Sequence, residues 1–194
     1  MNRGELETLI AQYMHRNDLG AFIPGFIDMA TDRIGRTLRS QVNETTLTLG
    51  ITVNPTPLPA DFRGMRTVLS EQDRGPNPLR AMSPTQLARA TSIGTPAFYA
   101  ISGKSIQVQP FVAGNLIIDY WGNPAPLTSE SSTNAVLTEY PYLYLYASLV
   151  EAAVFVDDTK KAGDMAGVFN NEIFEVNQMS ADANSGAIPI ISGV

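Results

Sequence analysis

The sequence predicts an α+β fold, in which helices from both ends of the chain form a bundle and an antiparallel β region is inserted between them. Three stretches carry this prediction. Residues 1–44 place apolar side chains at helical spacing. Residues 45–122 change to short runs of β-favouring residues separated by glycine and proline. Helical spacing returns in residues 138–181, so that two helical ends enclose a β insertion.

The N-terminal residues 1–44 contain two predicted helices. One spans residues 4–15, and the other starts near Pro24, because proline is well tolerated in the first turn of a helix. Three arginines form a row beside the apolar stripe of this second helix, three residues apart: Arg33, Arg36 and Arg39. Asp28 and Asp32 can pair with them along the helix. The arginine row is therefore either a solvated face with local ion pairs or a contact with another subunit.

The middle of the chain is predicted to be antiparallel β structure. "TTLTLGITV" and "GNLIIDYWG" are predicted strands, and "FYAISGKSIQVQP" is a predicted hairpin around a Gly-Lys turn. A second hairpin is predicted from "GMRTVLSEQ" and "PLRAMS", which flank "DRGPN". In "SPTQLARA", Ser83 and Pro84 predict the capped start of a short helix.

The segment "LTEYPYLYLYASLVEAAVFVDD" decides the C-terminal architecture. Tyrosine and leucine alternate in it as in a strand, but a strand of about twenty residues would be far longer than usual. A helix over residues 138–158 fits better, with Thr138 as cap and Pro141 in the first turn. Its least apolar strip consists of Tyr144, Ser148, Glu151, Phe155 and Asp158. Such a helix is enclosed, either as the central strut of the bundle or between its own bundle and a neighbouring subunit.

A polar linker, residues 123–137, precedes this helix, and a last helix is predicted over residues 161–180. Its Gly163 and Gly167 either let another helix approach closely or weaken this one.

The chain ends in an extended tail, residues 182–194. The apolar residues of the tail are Ile188, Pro189, Ile190, Ile191 and Val194. Because such a terminus cannot bury itself, we expect it to dock on another protein.

The composition argues against several classes of function. The 194 residues carry a formal charge of −6, which disfavours a phosphate grip by clustered basic side chains. The chain has no cysteine and one histidine, His15, and it shows no Walker loop, GxGxxG motif or metal-ligand spacing. We therefore expect no cofactor, no metal and no enzymatic activity. No apolar run is long enough for a signal peptide or a membrane helix, which predicts synthesis in the cytoplasm and no membrane partner.

The balance of apolar and charged residues predicts an oligomer. With 44% hydrophobic and only 16% charged residues, one copy is left with apolar surface that subunit interfaces would cover. The charge is also uneven along the chain. Residues 1–118 carry eleven basic and nine acidic side chains, whereas residues 119–194 carry two basic and ten acidic ones.

Five segments of the chain resemble, in the same order, the head-to-tail adaptor (connector) proteins of short-tailed, podovirus-type phages. They are "LIAQYMHRNDLGAFIPGFIDMATDRIGRTLR", "LPADFRGMRTVL", "PLRAMSPTQL", "GTPAFYAISGKSIQVQP" and "LIIDYWGNPAPLTSESSTNAVLTEYPYLYLYASLVEAAVFVDD". The resemblance implies a structural protein of the virion tail or neck, made in the host cytoplasm. It implies a homo-oligomeric 12-mer ring between the portal protein and the tail nozzle protein, with tail fibres as a further partner. It implies no enzymatic activity and no catalytic residues.

In that setting we expect three kinds of surface. Contacts between subunits are expected at Arg33, Arg36, Arg39, Tyr144 and Phe155. The portal or a neighbouring subunit is expected to receive the tail residues Ile188, Pro189, Ile190, Ile191 and Val194. Acidic side chains are expected to face a central channel, where they would let DNA pass without binding it. These are Glu151, Asp157, Asp158, Asp164, Glu172 and Glu175.

Two other functions compete with this interpretation. One is a receptor-binding or carbohydrate-binding module of a phage tail, built around the aromatic residues Tyr120 and Trp121. It would need an exposed aromatic platform with acids beside it, and Asp119 is the one acid in the same strand, on the face opposite Tyr120. The other is an assembly factor that is not part of the virion. Composition alone does not separate an assembly factor from an adaptor.

Overall fold

The computed structural model describes residues 1–16, 18–71, 77–90 and 93–185, and it divides the chain into two compact units. A helical unit contains Met1–Asn43 and the described residues from Asn123 onward, and a β unit contains the described residues of Glu44–Gly122. The helices are α1 (Arg3–Met14), α2 (Ile23–Thr37), α3 (Pro84–Leu87), α4 (Ala135–Glu139), α5 (Pro141–Phe155) and α6 (Thr159–Ser185). The strands are β1 (Glu44–Ile51), β2 (Thr56–Pro57), β3 (Phe62–Ser70), β4 (Arg80–Ala81), β5 (Phe98–Ser102), β6 (Ser105–Gln109) and β7 (Gly114–Gly122).

The predicted fold class is confirmed, because terminal helices enclose a β region that contains an antiparallel sheet. The core of the helical unit lies where α5 meets α1, α2 and α6. Its fully buried residues include Leu6, Ile10, Ile27, Ile34 and Tyr144. Burial of such side chains contributes about 1.5–3 kcal/mol each, so this contact region holds the bundle together.

The predicted helix over residues 138–158 is interrupted at its start. It consists of α4 and α5, which meet at Tyr140, and Pro141 is the first residue of α5. Thr138 was expected to cap the helix, but Asn134 does so instead, four residues earlier. The Asn134 Oδ1 atom accepts a hydrogen bond from the Leu137 N–H at 2.8 Å. The proline explains the break, since it has no N–H to continue the hydrogen bonding of α4.

The strip of α5 that looked least apolar is fully buried only in its first half. Tyr144 and Ser148 are completely buried, whereas Tyr142, Val154 and Phe155 are each more than half exposed. Asn134 donates a hydrogen bond to the Tyr144 hydroxyl at 2.8 Å. This bond offsets the free-energy cost of removing the phenol hydroxyl from water. The Ser148 hydroxyl has no hydrogen-bond partner among the described residues.

The β unit contains two sheets around one core. β1, β7 and β3 form an antiparallel sheet in that order, and β2, β6, β5 and β4 form the other, in which β4 and β5 run parallel. Both sheets place apolar residues in the core: Val68, Leu116, Ile118 and Tyr120 from the first, and Tyr99, Ile106 and Val108 from the second.

One of the two predicted hairpins is confirmed. β5 and β6 pair around a turn that contains Gly103, whose φ of 60° favours glycine. The two arms of the other predicted hairpin form no ladder with each other: β3 pairs with β7 and β4 pairs with β5, and one backbone bond, from the Leu79 N–H to the Val68 oxygen at 2.8 Å, joins the arms. Ser83 caps α3 as predicted, with a capping box to Gln86.

Candidate functional site

The linker after β7 is bound to the first two helices. The N–H groups of Arg3 and Gly4 donate to the carbonyl oxygens of Ser132 and Glu130, at 3.0 and 2.9 Å. These bonds use N–H groups that have no partner within α1. On α2, Gly35 leaves room for the linker, since a Cβ atom there would lie 1.8 Å from the Asn123 Oδ1 atom. The linker therefore belongs to the helical unit.

The arginine row is largely occupied within one chain. The Arg33 Nε atom donates to Glu151 at 3.0 Å, which connects α2 to α5. The Arg39 backbone N–H donates to Asn177 on α6 at 2.7 Å, and burial lowers the pKa of the Arg39 guanidinium. Arg36 lies 3.5 Å from Asp32 on its own helix, and its side chain is 63% exposed. Of these three arginines, Arg36 projects furthest into solvent.

The expected acidic residues have different surroundings. Glu151 is paired with Arg33, and Asp164 is paired with Lys160 at 3.1 Å. Asp157 forms the turn between α5 and α6 with a φ of 59°, a conformation that aspartate tolerates better than most residues. Asp158 caps α6, because its carboxylate accepts the Lys161 N–H at 3.0 Å. Its charge is favourable there, at the positive end of the helix dipole.

One exposed face of α6 carries a row of acids. Asp164, Glu175 and Asp182 are separated by whole numbers of turns to within about 20°, so they share a face over about 27 Å. All three side chains are exposed. Glu172 points to a different side and is half-buried near Tyr146, whose pKa is raised mainly by burial. Asp182 was not among the expected acids, although its spacing from Glu175 could have identified it.

Phe155 belongs to an exposed aromatic patch that the sequence did not reveal in full. Its ring lies 4.8 Å from that of Phe22 and 5.4 Å from that of Phe26, measured between centroids. Phe26 is buried, but Phe22 is 48% and Phe155 is 52% exposed. Val154, which precedes Phe155 in α5, is 61% exposed. We call Phe22, Val154 and Phe155 the aromatic patch. By contrast, Tyr144 lies in the core of its own chain and has no surface to offer a neighbour.

The residues of the competing carbohydrate-binding hypothesis do not form a platform. Tyr120 is 3% exposed, lies in the β core and donates a hydrogen bond to Asp61 at 3.2 Å. Burial, together with the nearby Asp61 carboxylate, raises the pKa of Tyr120 to about 12. Trp121 follows it in β7 and therefore points to the other face of the sheet. The two rings consequently cannot contact one ligand side by side.

Neither a metal centre nor a membrane span is found in the part of the chain that the structure describes. No three side chains of His, Cys, Asp or Glu come together there as metal ligands. None of the described helices has both the length and the apolar character needed to cross a bilayer.

His15 is exposed and ends α1 with a φ of 53°. The tail residues Ile188, Pro189, Ile190, Ile191 and Val194 lie outside the described residues.

Comparison with known proteins identifies the family. The model of the SU10 adaptor protein family matches residues 1–189, which is nearly the whole chain. The chain belongs to the SU10 adaptor protein family. The resemblance to phage adaptors is thereby confirmed, and membership indicates a structural component of a bacteriophage virion that associates with other head and tail proteins. A search of curated proteins finds no match.

Proposed function

We propose that this adaptor forms a ring of twelve copies between the portal protein and the tail nozzle, and that DNA passes through its centre. The observation that carries the proposal is the family match over residues 1–189. The proposal includes no enzymatic step. In it, the protein acts through its contacts with other copies, with the portal and nozzle proteins, and with passing DNA. Two surfaces of the helical unit support it: the aromatic patch and the acidic row on α6.

The aromatic patch is the proposed contact between copies in the ring. Phe22 and Phe155 expose about half of their surface although they pack against each other. Aromatic side chains with adjoining apolar surface are enriched in subunit interfaces. Arg36 is the one arginine of the row that we retain for a contact between copies, because it is the most exposed of the three.

The acidic row is the proposed lining of the DNA channel. Asp164, Glu175 and Asp182 present carboxylates along one helix face. A wall of negative charge repels phosphates, so DNA would slide past it without a stable complex. Asp157 and Asp158 at the start of α6 extend this charge. Glu151 is left out because it is largely buried in its ion pair with Arg33, whereas Asp164 keeps an exposed carboxylate beside Lys160. Glu172 is left out because it is half-buried and lies about 60–80° around the helix from the row.

The ring proposal is tested by the mass of the purified chain alone and after mixing with its portal protein, measured by light scattering coupled to size-exclusion chromatography. We expect one defined complex, a portal ring that carries twelve adaptor copies. Phe155→Asp should reduce the number of copies bound, because a carboxylate would be buried against a neighbour. Tyr142→Asp is the matched control, since Tyr142 is also exposed on α5 but lies near its other end. An unchanged portal mass would refute the proposal.

Two observations bear on the competing functions. A receptor-binding module lacks its aromatic platform, because Tyr120 is buried and Trp121 points to the opposite face. An assembly factor that leaves the particle would share the family fold and the exposed patches. Mass spectrometry of purified virions separates it from an adaptor, since an adaptor is retained in the particle.

A further inference from the structure

β1 is an open edge of the β unit. It lies at the border of the three-stranded sheet, and all eight of its residues pair with β7 without a bulge. Among the described residues, no strand pairs with its other edge. Residues 45–48 are exposed, and because side chains alternate along a strand, both faces of β1 are uncovered there. The open edge is about 26 Å long.

The other edges of the two sheets are protected. β3 contains two irregularities in its pairing, carries Arg63 and Arg66, and accepts a hydrogen bond from the Leu79 N–H at its Val68 oxygen. β2 and β4 have two residues each, and β2 ends in Pro57. Short strands, bulges, charges and proline are the devices by which soluble proteins prevent strands from adding to an edge.

β1 has none of these devices. It contains no proline and no basic residue, and its one charge, Glu44, is bound to Arg66. Its composition of threonine, leucine and isoleucine favours strands, and an uncharged open strand of this kind promotes aggregation unless it is covered. Among the described strands, β1 is therefore the one most open to the addition of a further strand.

We propose that β1 binds an extended, uncharged segment of a different virion protein, which joins the sheet as a fourth strand beside it. This is recognition by strand addition, in which backbone hydrogen bonds supply affinity and alternate side chains supply selectivity. The inference rests on the proposed place of the chain between portal and tail. It adds a binding site in the β unit to the two surfaces of the helical unit.

The symmetry of a ring favours a different protein over the β unit of a second copy. Contacts between neighbours in a ring join two different surfaces, so pairing of β1 with the β unit of a neighbour would need a second open edge. The other edges of the β unit are protected, as described. Pairing of β1 with another β1 would require a two-fold axis, which a ring with a portal on one side and a tail on the other does not have.

The side chains of β1 define the chemistry of the incoming strand. Residues 45–51 carry no charge, so a charged strand would gain nothing there. Leu47 lies on the face that Ile118 uses for the β core, and it is still 36% exposed. An apolar side chain opposite Leu47 would cover it. On the other face, Thr46 and Thr48 suit small or β-branched partners.

Hydrogen exchange tests whether β1 becomes paired. Exchange rates of backbone amides are compared between the free chain and purified virions. In the free chain, we expect rapid exchange for those amides of residues 45–50 that point away from β7. In the particle, the same amides should exchange at least about tenfold more slowly. β3 serves as the control within the molecule, and its rates should stay the same. Slow exchange of all β1 amides in the free chain, or equal rates in both samples, would overturn the inference.

A cysteine on β1 identifies the occupant, because the chain has no other cysteine. Thr48→Cys is built into the phage, and its thiol is labelled in purified virions with a maleimide that carries a photoreactive benzophenone, which does not need a lysine in the occupant. We expect a cross-link to a different virion protein, whereas Lys104→Cys in the β5–β6 turn should not give the same product. Cross-links to other copies alone, or none, would overturn the inference. Absence of the chain from the virion would instead refute the proposed function and this inference with it.

Discussion

Gly35 marks the place where the linker crosses α2, and it gives a prediction at the scale of one residue. In Gly35→Ala, the new Cβ atom would lie 1.8 Å from Asn123 Oδ1 and 3.2 Å from Pro124 Cδ, so the Asn123 side chain has to turn away from its partners and Pro124 has to shift slightly. Overpacking of this kind costs about 1–3 kcal/mol, more than the gain of about 0.5–1 kcal/mol in helix propensity. We expect a lower free energy of unfolding in urea.

The control for Gly35 is Gly167→Ala on α6, where an added Cβ atom meets nothing within 4 Å. It should raise the free energy of unfolding by about 0.5–1 kcal/mol through helix propensity alone. If both variants were stabilised equally, the linker would not be packed against α2 as described.

Tyr120 predicts a dependence of stability on alkaline pH. Its pKa is raised from 10.0 to about 12, so the folded state favours the neutral phenol. That contribution is complete below pH 10 and is lost as the pH rises toward 12. At pH 8, Tyr120→Phe should be less stable by about 1 kcal/mol, because its hydrogen bond to Asp61 is gone. In urea unfolding at increasing pH, the difference from the unmodified chain should shrink, and a constant difference would contradict the prediction.

Individual residues could be predicted from the sequence when their role is local. Ser83 and Pro141 were placed correctly because a cap or a first helical turn depends on neighbours in the chain. Tyr144 was expected at a contact between subunits but is buried in its own chain, since its burial depends on a partner outside α5. The Tyr144 hydroxyl is bound by Asn134, ten residues away, and no pattern within α5 reveals that bond.

At the scale of elements, Asn134 connects the linker, α4 and α5. Its Oδ1 atom caps α4, and its Nδ2 atom donates to the Ala125 oxygen at 2.7 Å and to the Tyr144 hydroxyl at 2.8 Å. Asn134→Ala removes all three bonds and leaves a buried hydroxyl with fewer partners. We expect a loss of about 2–3 kcal/mol in the free energy of unfolding, measured with urea.

The matched control for Asn134 is Ser83→Ala, which removes the cap of α3 at an exposed position. There we expect a loss of about 0.5–1 kcal/mol. Equal losses in the two variants would mean that Asn134 acts only as a cap and does not hold the three elements together.

The positions of most elements followed from periodicity, but the pairing of strands did not. β1, β7, α1 and α2 agree closely with the predicted segments, because each has a clear apolar pattern and clear turn residues. β3 was assigned to its neighbour in sequence, yet it pairs with β7, more than forty residues later. Strand pairing is decided by which apolar faces share a core, and a single sequence does not contain that information directly.

For the whole molecule, the uneven charge was visible in composition, while its arrangement required the structure. The C-terminal acids include helix caps and ion pairs, Asp158 and Glu151 among them, that are used within the chain. Composition could not separate these from the row on α6, because the distinction depends on which acids share one exposed helix face. The row is therefore the part of the acidic C-terminal segment that we propose to face DNA.

Neutralising the acidic row should slow the release of DNA from the virion. The variant Asp164→Asn, Glu175→Gln, Asp182→Asn removes three negative charges from one helix face without changing side-chain size. Phosphates would then be repelled less and would interact longer with the channel wall. We expect slower ejection in a fluorescence assay of DNA release, with the largest effect at low salt because screening weakens charge effects. The control variant Asp28→Asn, Glu130→Gln, Glu139→Gln removes three exposed acids elsewhere and should eject normally. If both variants ejected at the normal rate, or both were equally slow, the acidic row would not line the channel.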